Sequence, residues 1–202
     1  MTAVLCLLPV AYLLGTFPSA GIVAKARGHD IQKEGSGNPG ASNTFRILGW
    51  KAGAVVLILD IGKGALAAGV GLALAGHAGA FILGVAAVLG HVFPVTRHFK
   101  GGRGVATAAG VMGVVFPVEI IILAAVWFAI ARGLHKASIA SVVCAVAFPL
   151  TVAWRDGSVL DLVVSSSLAA LVVLRHLANL RRLVRGEEHG LGHEDDGGSV
   201  AA

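Results

Sequence analysis

Residues 52–76 read AGAVVLILDIGKGALAAGVGLALAG, an apolar run whose only charged residues are Asp60 and Lys63. A transmembrane helix needs about 20 such residues to cross the hydrocarbon core of a bilayer. The run is also rich in Gly and Ala, small residues that let membrane helices pack backbone to backbone. It therefore predicts a membrane-spanning helix and places the chain among all-α integral membrane proteins.

The composition of the whole chain agrees with this assignment. Its 202 residues are 56% hydrophobic and 13% charged, and the mean hydropathy is +0.83. A soluble domain carries roughly 25% charged residues, because its surface must face water. Cys6 and Cys144 both lie in apolar runs without disulfide or metal-ligand spacing, so we interpret them as small hydrophobic core residues.

Apolar runs divide the chain into about seven predicted spans. They cover residues 3–24, 52–76, 78–95, 105–115, 117–131, 137–154 and 158–174. The first run is long for a signal peptide and no Lys or Arg precedes it, so we expect a retained first helix. The runs at 105–115 and 117–131 are each short, and they are either one long helix or a tight pair broken at Pro117.

Basic residues decide between these two alternatives. Of the 16 Lys and Arg residues, 14 fall in four clusters, at 25–51, 97–103, 132–136 and 175–185. If residues 105–131 cross the membrane twice, all four clusters lie on one side. Cytoplasmic loops carry the excess of Lys and Arg, so this pattern predicts seven crossings, with the N-terminus outside and the C-terminus in the cytoplasm.

A single membrane domain over residues 1–186 is followed by a segment of different composition. Residues 187–202 combine Gly and Ser with acidic residues, namely Glu187, Glu188, Glu194, Asp195 and Asp196. Because this segment has no apolar periodicity, we predict a disordered acidic cytoplasmic tail.

The first basic loop predicts a phosphate site. Residues 35–46 read GSGNPGASNTFR, in which glycines allow backbone N–H groups to converge on an anion. Ser36, Asn38, Ser42 and Asn43 add hydrogen-bond donors, and Arg46 adds a planar cation. The alternative is a flexible Gly/Ser linker, which has no need of two Asn and an Arg. A G-x-G-x-x-G pattern in the loop follows no strand, so we do not interpret it as a dinucleotide site.

The second basic loop repeats this combination of cations and glycines. Residues 97–104 read RHFKGGRG and lead directly into the run at 105–115, so the N-terminus of a helix would face an anion. A loop that only fixes membrane orientation would need the charges alone. The glycines favour close backbone approach to a ligand, with Lys100 and Arg103 beside it.

Three further polar pairs stand at helical spacing. They are Ser138 with Ser141, His176 with Asn179, and Asp60 with Lys63. Serines inside a span more often pack helices, and a basic juxtamembrane helix often only contacts anionic lipid. For Asp60 and Lys63, which would be costly unpaired in a membrane, structural pairing and a direct role at a site both remain open.

In these motifs the sequence resembles the bacterial acyl-phosphate-dependent glycerol-3-phosphate acyltransferase family. The resemblance runs from about Tyr12 to Glu188 and includes the loop at 35–49, Asp60-x-x-Lys63-Gly64, the block from Gly90 to Thr107, the Ser138/Ser141 pair and the stretch from Arg175 to Arg182. It implies transfer of an acyl group from acyl phosphate to the 1-hydroxyl of sn-glycerol 3-phosphate, giving lysophosphatidate and phosphate in phospholipid biosynthesis.

The resemblance also implies the site residues. Ser36, Asn38, Asn43, Arg46, Gly102 and Arg103 would hold the substrate phosphates, and Ser141, His176 and Asn179 would be catalytic. Lys100 is added to the phosphate-binding residues because of its charge and its place in the second basic loop. Among the catalytic three, His176 would orient or deprotonate the glycerol hydroxyl, or the substrate phosphate would act as the base instead. The family usually has Lys, Arg and Thr where this chain has Arg103, Gln32 and Ser42.

We expect both substrates and membrane lipid as binding partners, without cofactor, metal or nucleic acid. The protein would lie in the bacterial inner or plasma membrane, with its site on the cytoplasmic side. The alternative function is a transporter or channel for a small phosphate-bearing anion. Such a protein often has an inverted repeat, and the Gly-rich first loop has no counterpart in the second half of the chain.

Overall fold

The computed structural model describes residues 1–191, and the regular secondary structure in that part of the chain is all helical. In residues 1–191, seven α-helices are connected by loops, of which that at residues 26–40 is the longest, and by one 3₁₀ turn at Val95–Arg97. The helices are α1 Thr2–Gly15, α2 Ser19–Lys25, α3 Ala41–Val92, α4 Val105–Val115, α5 Pro117–Leu134, α6 Ala137–Trp154 and α7 Val159–Val184. The prediction of an all-helical protein is confirmed.

The long helix α3 is not a single rod. Its backbone leaves helical geometry at Gly49, where φ is 77°, and again at Ala75 and Gly76, where φ is −156° and 60°. At the second break the chain folds back on itself. The two arms come so close that a Cβ built on Gly71 would lie 2.1 Å from the carbonyl oxygen of Gly79. The apolar runs predicted at 52–76 and 78–95 are therefore two arms of a helical hairpin.

Helix lengths and compositions fit a multi-pass membrane protein. Within the described residues, five helical stretches are long and apolar enough to cross a bilayer, and one of them contains the whole α3 hairpin. The shorter apolar helix α4 ends at Val115, the backbone of Phe116 leaves helical geometry with φ at −130° and ψ at 64°, and Pro117 begins α5. Proline suits this first position of a helix, because its N–H would have no partner there in any case.

Small residues bring α4 into backbone contact with α3. A Cβ built on Gly64 would lie 2.1 Å from the carbonyl oxygen of Thr107, and one built on Gly110 would lie 2.1 Å from that of Ile61. Only glycine permits such approach. The contact fixes the N-terminus of α4, and with it the loop that precedes α4, against the first half of the hairpin.

The packed part of the chain extends beyond the predicted domain boundary at residue 186. Glu188 is buried, and the backbone N–H of Leu191 donates to the carbonyl oxygen of His135 at 2.8 Å. The predicted acidic tail at 187–202 therefore begins with a segment that lies against the helix bundle. The rest of that tail, from residue 192 onward, lies outside the described residues.

Candidate active site

The Gly-rich first loop is organised around the side chain of Asn43. This side chain is 1% exposed, and its Oδ1 accepts from the backbone N–H of Ser36 at 2.9 Å. Its Nδ2 donates to the carbonyl oxygens of Ile31 and Glu34, both at 3.1 Å. Because these bonds engage both ends of the amide, Asn43, in the first turn of α3, holds the preceding loop against the helix.

Arg46 lies one helical turn after Asn43 and is also buried. Its Nη1 donates to Asn43 Oδ1 at 3.1 Å, and its Nε donates to the carbonyl oxygen of Gly190 at 2.8 Å. The guanidinium thus joins the first loop to the segment that follows α7.

Residues 101–104, the last part of the second loop, lead into the N-terminus of α4 and approach the first loop. The N–H of Gly102 donates to the carbonyl oxygen of His91 at 3.1 Å, and Arg175 Nη2 donates to that of Gly101 at 3.2 Å. Gly104 caps α4 with φ at 86°, a left-handed conformation that favours glycine. Burial lowers the pKa of Arg103 to about 10, against the opposing charge of Glu188, so its guanidinium remains protonated at neutral pH.

Helix α7 contributes His176 and Asn179. His176 is 1% exposed, and its Nδ1 lies 2.7 Å from the carbonyl oxygen of Val172. Since a carbonyl oxygen only accepts, Nδ1 carries the proton and the lone pair of the neutral imidazole is on Nε2. Asn179 Nδ2 donates to Glu188 Oε1 at 2.6 Å.

The two predicted serines of α6 have different surroundings. Ser141 Oγ donates to the carbonyl oxygen of Ala137 at 2.8 Å and accepts from Trp127 Nε1 at 3.0 Å. These bonds tie it to its own helix and to α5, away from the cavities described below. Ser138, one turn earlier, lies on the wall of the smaller cavity.

Two adjoining cavities lie between these loops and helices. The smaller, of about 10 Å³, is lined by Ser36, Asn38, Ser42, Asn43, Arg46, Arg103, Ala137, Ser138, Asn179, Glu188 and His189. The wider, of about 800 Å³, shares Ser36, Asn38, Arg103 and Asn179 with it. Its other walls include Lys100, Arg175, Arg181 and Arg182, together with Phe99, Leu174 and Leu177.

Glu188 closes the smaller cavity, and the sequence did not predict this position. Its carboxylate accepts from Asn179 and, at 3.1 Å, from Arg182 Nε, and Lys136 donates to its backbone carbonyl oxygen. Burial raises the pKa of Glu188, but the hydrogen bond from Asn179 and the charge of Arg182 outweigh it, and the pKa falls below its ordinary value. The ionised carboxylate of Glu188 therefore lies among the cationic side chains that line this cavity.

The structure brings most of the predicted site residues to these two cavities. Ser36, Asn38, Asn43, Arg46, Lys100, Arg103 and Asn179 line one or both. Gly102, Ser141 and His176 do not line either cavity. Asp60 and Lys63 form a buried ion pair at 2.8 Å within α3, away from both. Among residues 1–191, no group of three His, Cys, Asp or Glu side chains could hold a metal ion.

Comparison with known proteins agrees with this arrangement of loops and helices. Residues 5–186 match the model of the family described as glycerol-3-phosphate acyltransferase. The chain belongs to this family. The resemblance seen in the sequence is thereby confirmed, and the family assignment disfavours the alternative of a transporter or channel.

Curated relatives cover nearly the whole chain. The glycerol-3-phosphate acyltransferase of Chlorobaculum tepidum is 38% identical over 95% of this chain and 97% of its own length. That of Bacillus cytotoxicus is 43% identical over 90% of this chain and 92% of its own length.

Two crystal structures resemble this fold over most of its length. Both are of PlsY, an integral membrane glycerol 3-phosphate acyltransferase, and both share 37% sequence identity with this chain. The glycerol 3-phosphate form superposes with a TM-score of 0.89 and covers 94% of this chain and 96% of that one. The lysophosphatidic acid form superposes with a TM-score of 0.86, covering 93% and 95%.

Proposed function

We propose that this acyltransferase transfers an acyl group from acyl phosphate to the 1-hydroxyl of sn-glycerol 3-phosphate, releasing lysophosphatidate and phosphate. The observation that carries the proposal is the wall of Ser36, Asn38, Arg103 and Asn179 that the two cavities share. A reaction between two phosphate-bearing substrates needs two neighbouring anion sites with the reacting groups between them.

The two cavities suit different substrates. The smaller is lined almost wholly by polar side chains, as the small and polar glycerol 3-phosphate requires. The wider combines cations with the exposed apolar side chains of Phe99, Leu174 and Leu177, so it suits an acyl phosphate whose chain extends toward lipid. As described, the smaller cavity has room for about one water molecule, so glycerol 3-phosphate binds there only when residues 188–189 move aside.

The chemistry asks little of the protein beyond positioning and charge stabilisation. Acyl phosphate is an activated mixed anhydride, so the glycerol oxygen attacks its carbonyl carbon and the bond to the phosphate oxygen breaks. Phosphate leaves with the bonding electrons. Arg103 on the shared wall and Arg46 in the smaller cavity stabilise the negative charges of the two substrates, and neither a covalent enzyme intermediate nor a metal is needed for this step.

In this proposal the proton of the glycerol hydroxyl goes to His176, which is buried and lines neither cavity as the structure stands. The movement of residues 188–189 that admits glycerol 3-phosphate must therefore also open access to this imidazole. The hydrogen bond to Val172 fixes the imidazole with its lone pair on Nε2, ready to accept a proton. Asn179, one turn further along α7, lies on the shared wall and binds the substrate once the movement of residues 188–189 releases its amide from Glu188. Asn43, Gly102 and Ser141 then act as positioning residues, because their polar groups or backbone contacts are engaged within the protein.

We also propose that the chain crosses the membrane seven times, with both cavities on the cytoplasmic side of the bacterial cell membrane. The break at Ala75–Gly76 and the junction at Phe116 each allow the chain to reverse, which separates two crossings in each case. The 14 clustered Lys and Arg residues then lie on the cytoplasmic side, together with the loops that line the cavities.

Cysteine labelling tests this topology. Single cysteines at Thr96, Gly133, Ala178 and Val159, all exposed positions, are introduced after Cys6 and Cys144 have been replaced. In intact cells an impermeant thiol reagent should label only position 159, whereas in permeabilised cells it should label all four. Labelling of position 133 from outside would contradict seven crossings, because that site decides whether residues 105–131 cross twice.

Donor selectivity tests the proposed reaction. The purified protein in detergent should form lysophosphatidate from glycerol 3-phosphate and acyl phosphate, but not from acyl-CoA or acyl-carrier protein. The reason is that none of the eight His residues has an Asp five positions later, as the H-x-x-x-x-D pattern of thioester-dependent acyltransferases requires. Product formation and phosphate release are measured together. A comparable rate with acyl-CoA would refute the donor assignment and leave the acyltransferase class intact.

A further inference from the structure

Beneath the second loop lies a buried chain of polar contacts that the reaction above does not use. Asp60, Lys63 and His91 are each at most 6% exposed. Lys63 Nζ lies 2.8 Å from Asp60 Oδ1, 2.7 Å from His91 Nδ1 and 3.3 Å from the carbonyl oxygen of Phe17. The three N–H groups of an ammonium are therefore all engaged, so none remains for a substrate.

This arrangement fixes the tautomer of His91. Because Lys63 is paired with a carboxylate, it is charged and donates its hydrogen bond to His91 Nδ1. A nitrogen that accepts holds a lone pair, so the proton of the neutral imidazole is on Nε2. The ring thus has one orientation, held from the side that faces the ion pair.

The other edge of the His91 ring supports Gly102. A Cβ built on Gly102 would lie 2.2 Å from His91 Nε2 and 2.8 Å from its Cε1. A Cβ on Gly101 would lie 2.1 Å from the carbonyl oxygen of His91. The two glycines therefore rest directly on His91, and the next residue along the chain is Arg103.

We propose that Asp60, Lys63 and His91 are positioning residues that hold Arg103 in the geometry that binds substrate phosphate. The ion pair orients the imidazole, the imidazole supports Gly102, and Gly102 sets where the Arg103 side chain begins. The inference rests on the proposed function of Arg103, and it answers the question of whether Asp60 and Lys63 serve the site directly or only pair structurally. They serve it through His91.

The contact between His91 and Gly102 provides a test by a double-mutant cycle. His91→Ala, Gly102→Ala and the double variant are purified, and KM for glycerol 3-phosphate and kcat are measured at saturating acyl phosphate. Each single change should raise KM by about tenfold while changing kcat much less, because it displaces a phosphate contact remote from the reacting hydroxyl. In the double variant the new methyl group occupies space that the imidazole has left.

The KM of the double variant should therefore be no higher than that of the worse single variant. It would then be about tenfold lower than the product of the two single effects. Gly62→Ala is the matched control, because this glycine lies beside Lys63 and a Cβ built on it meets nothing within 4 Å. It should behave like the parent. Effects of the two single changes that multiply in the double variant, or an unchanged KM in His91→Ala, would overturn the inference.

A purely structural role for His91 predicts a different result. His91→Asn keeps an acceptor for Lys63 but removes the ring beneath Gly102, so it should retain thermal stability in detergent and still show the raised KM. If His91→Asn retained its thermal stability and had a normal KM, the inference would be overturned. This result would be decisive even if His91→Ala failed to fold. If the parent protein binds glycerol 3-phosphate in calorimetry yet makes no lysophosphatidate, the proposed function fails. The same double-mutant cycle is then measured on the Kd for glycerol 3-phosphate, and the inference is still tested. If the parent does not bind it, both fail.

Discussion

His176→Ala should lower kcat by roughly 10²- to 10⁴-fold, the range that a positioned general base contributes. The hydrogen bond from Nδ1 to the carbonyl oxygen of Val172 leaves the lone pair on Nε2, which alanine cannot replace. KM for glycerol 3-phosphate should change far less, because proton transfer occurs in the transition state and not on binding. Initial rates of lysophosphatidate formation at saturating acyl phosphate measure both constants.

The matched control for this prediction is His98→Asn. His98 is exposed, lies on neither cavity, and has φ at 50°, a left-handed conformation that asparagine tolerates. Its kcat should equal that of the parent. If His176→Ala also keeps parental kcat, the proton goes to substrate phosphate, and His176 only packs within α7.

Arg103→Ala should reduce kcat/KM by on the order of 30- to 1000-fold, corresponding to about 2–4 kcal/mol for one charged contact at a desolvated site. Arg103 is half-buried, its partial burial lowers the pKa of the guanidinium to about 10, and it lies on the wall shared by the two cavities. Arg103→Lys should retain activity, because this acyltransferase family usually has Lys at this position. Arg46→Ala should show a loss of the same order.

Arg185→Ala removes the same charge from an exposed helix end that borders neither cavity, and its kcat/KM should stay close to the parental value. The comparison separates a local phosphate contact from the general effect of basic residues. Each variant is first shown to insert into membranes and to elute from size exclusion like the parent. If Arg103→Ala matched Arg185→Ala, the loop at 101–104 would only fix membrane orientation.

Local sequence was sufficient for features that local chemistry controls. The apolar runs on either side of Ala75–Gly76 and of Pro117 predicted where helices break, because glycine and proline act on the backbone at their own position. The Gly-rich composition of the loops also predicted an anion site, which stays a prediction. Seven of the predicted site residues line the cavities.

Assignments within each motif required the fold. Ser138 and Ser141 share a helical face, but only the position of Trp127 on α5 shows that Ser141 is engaged there while Ser138 reaches a cavity. Asn43 resembles a phosphate ligand in sequence, yet its amide is used to hold the backbone of the loop that precedes α3. A side chain's donors and acceptors go to whichever partners the fold places nearest, and sequence spacing does not contain that information.

By itself, then, the sequence determined a helical membrane protein of a recognisable acyltransferase family, because bilayer burial and backbone chemistry act over a few consecutive residues. Only the tertiary structure decided that Glu188 closes the smaller cavity and that Lys63 meets His91 across the α3 hairpin. Glu188 follows a helix end among acidic and Gly residues, where composition predicts disorder. Its burial depends on Asn179 and Arg182 converging on one carboxylate, which only the folded chain can arrange.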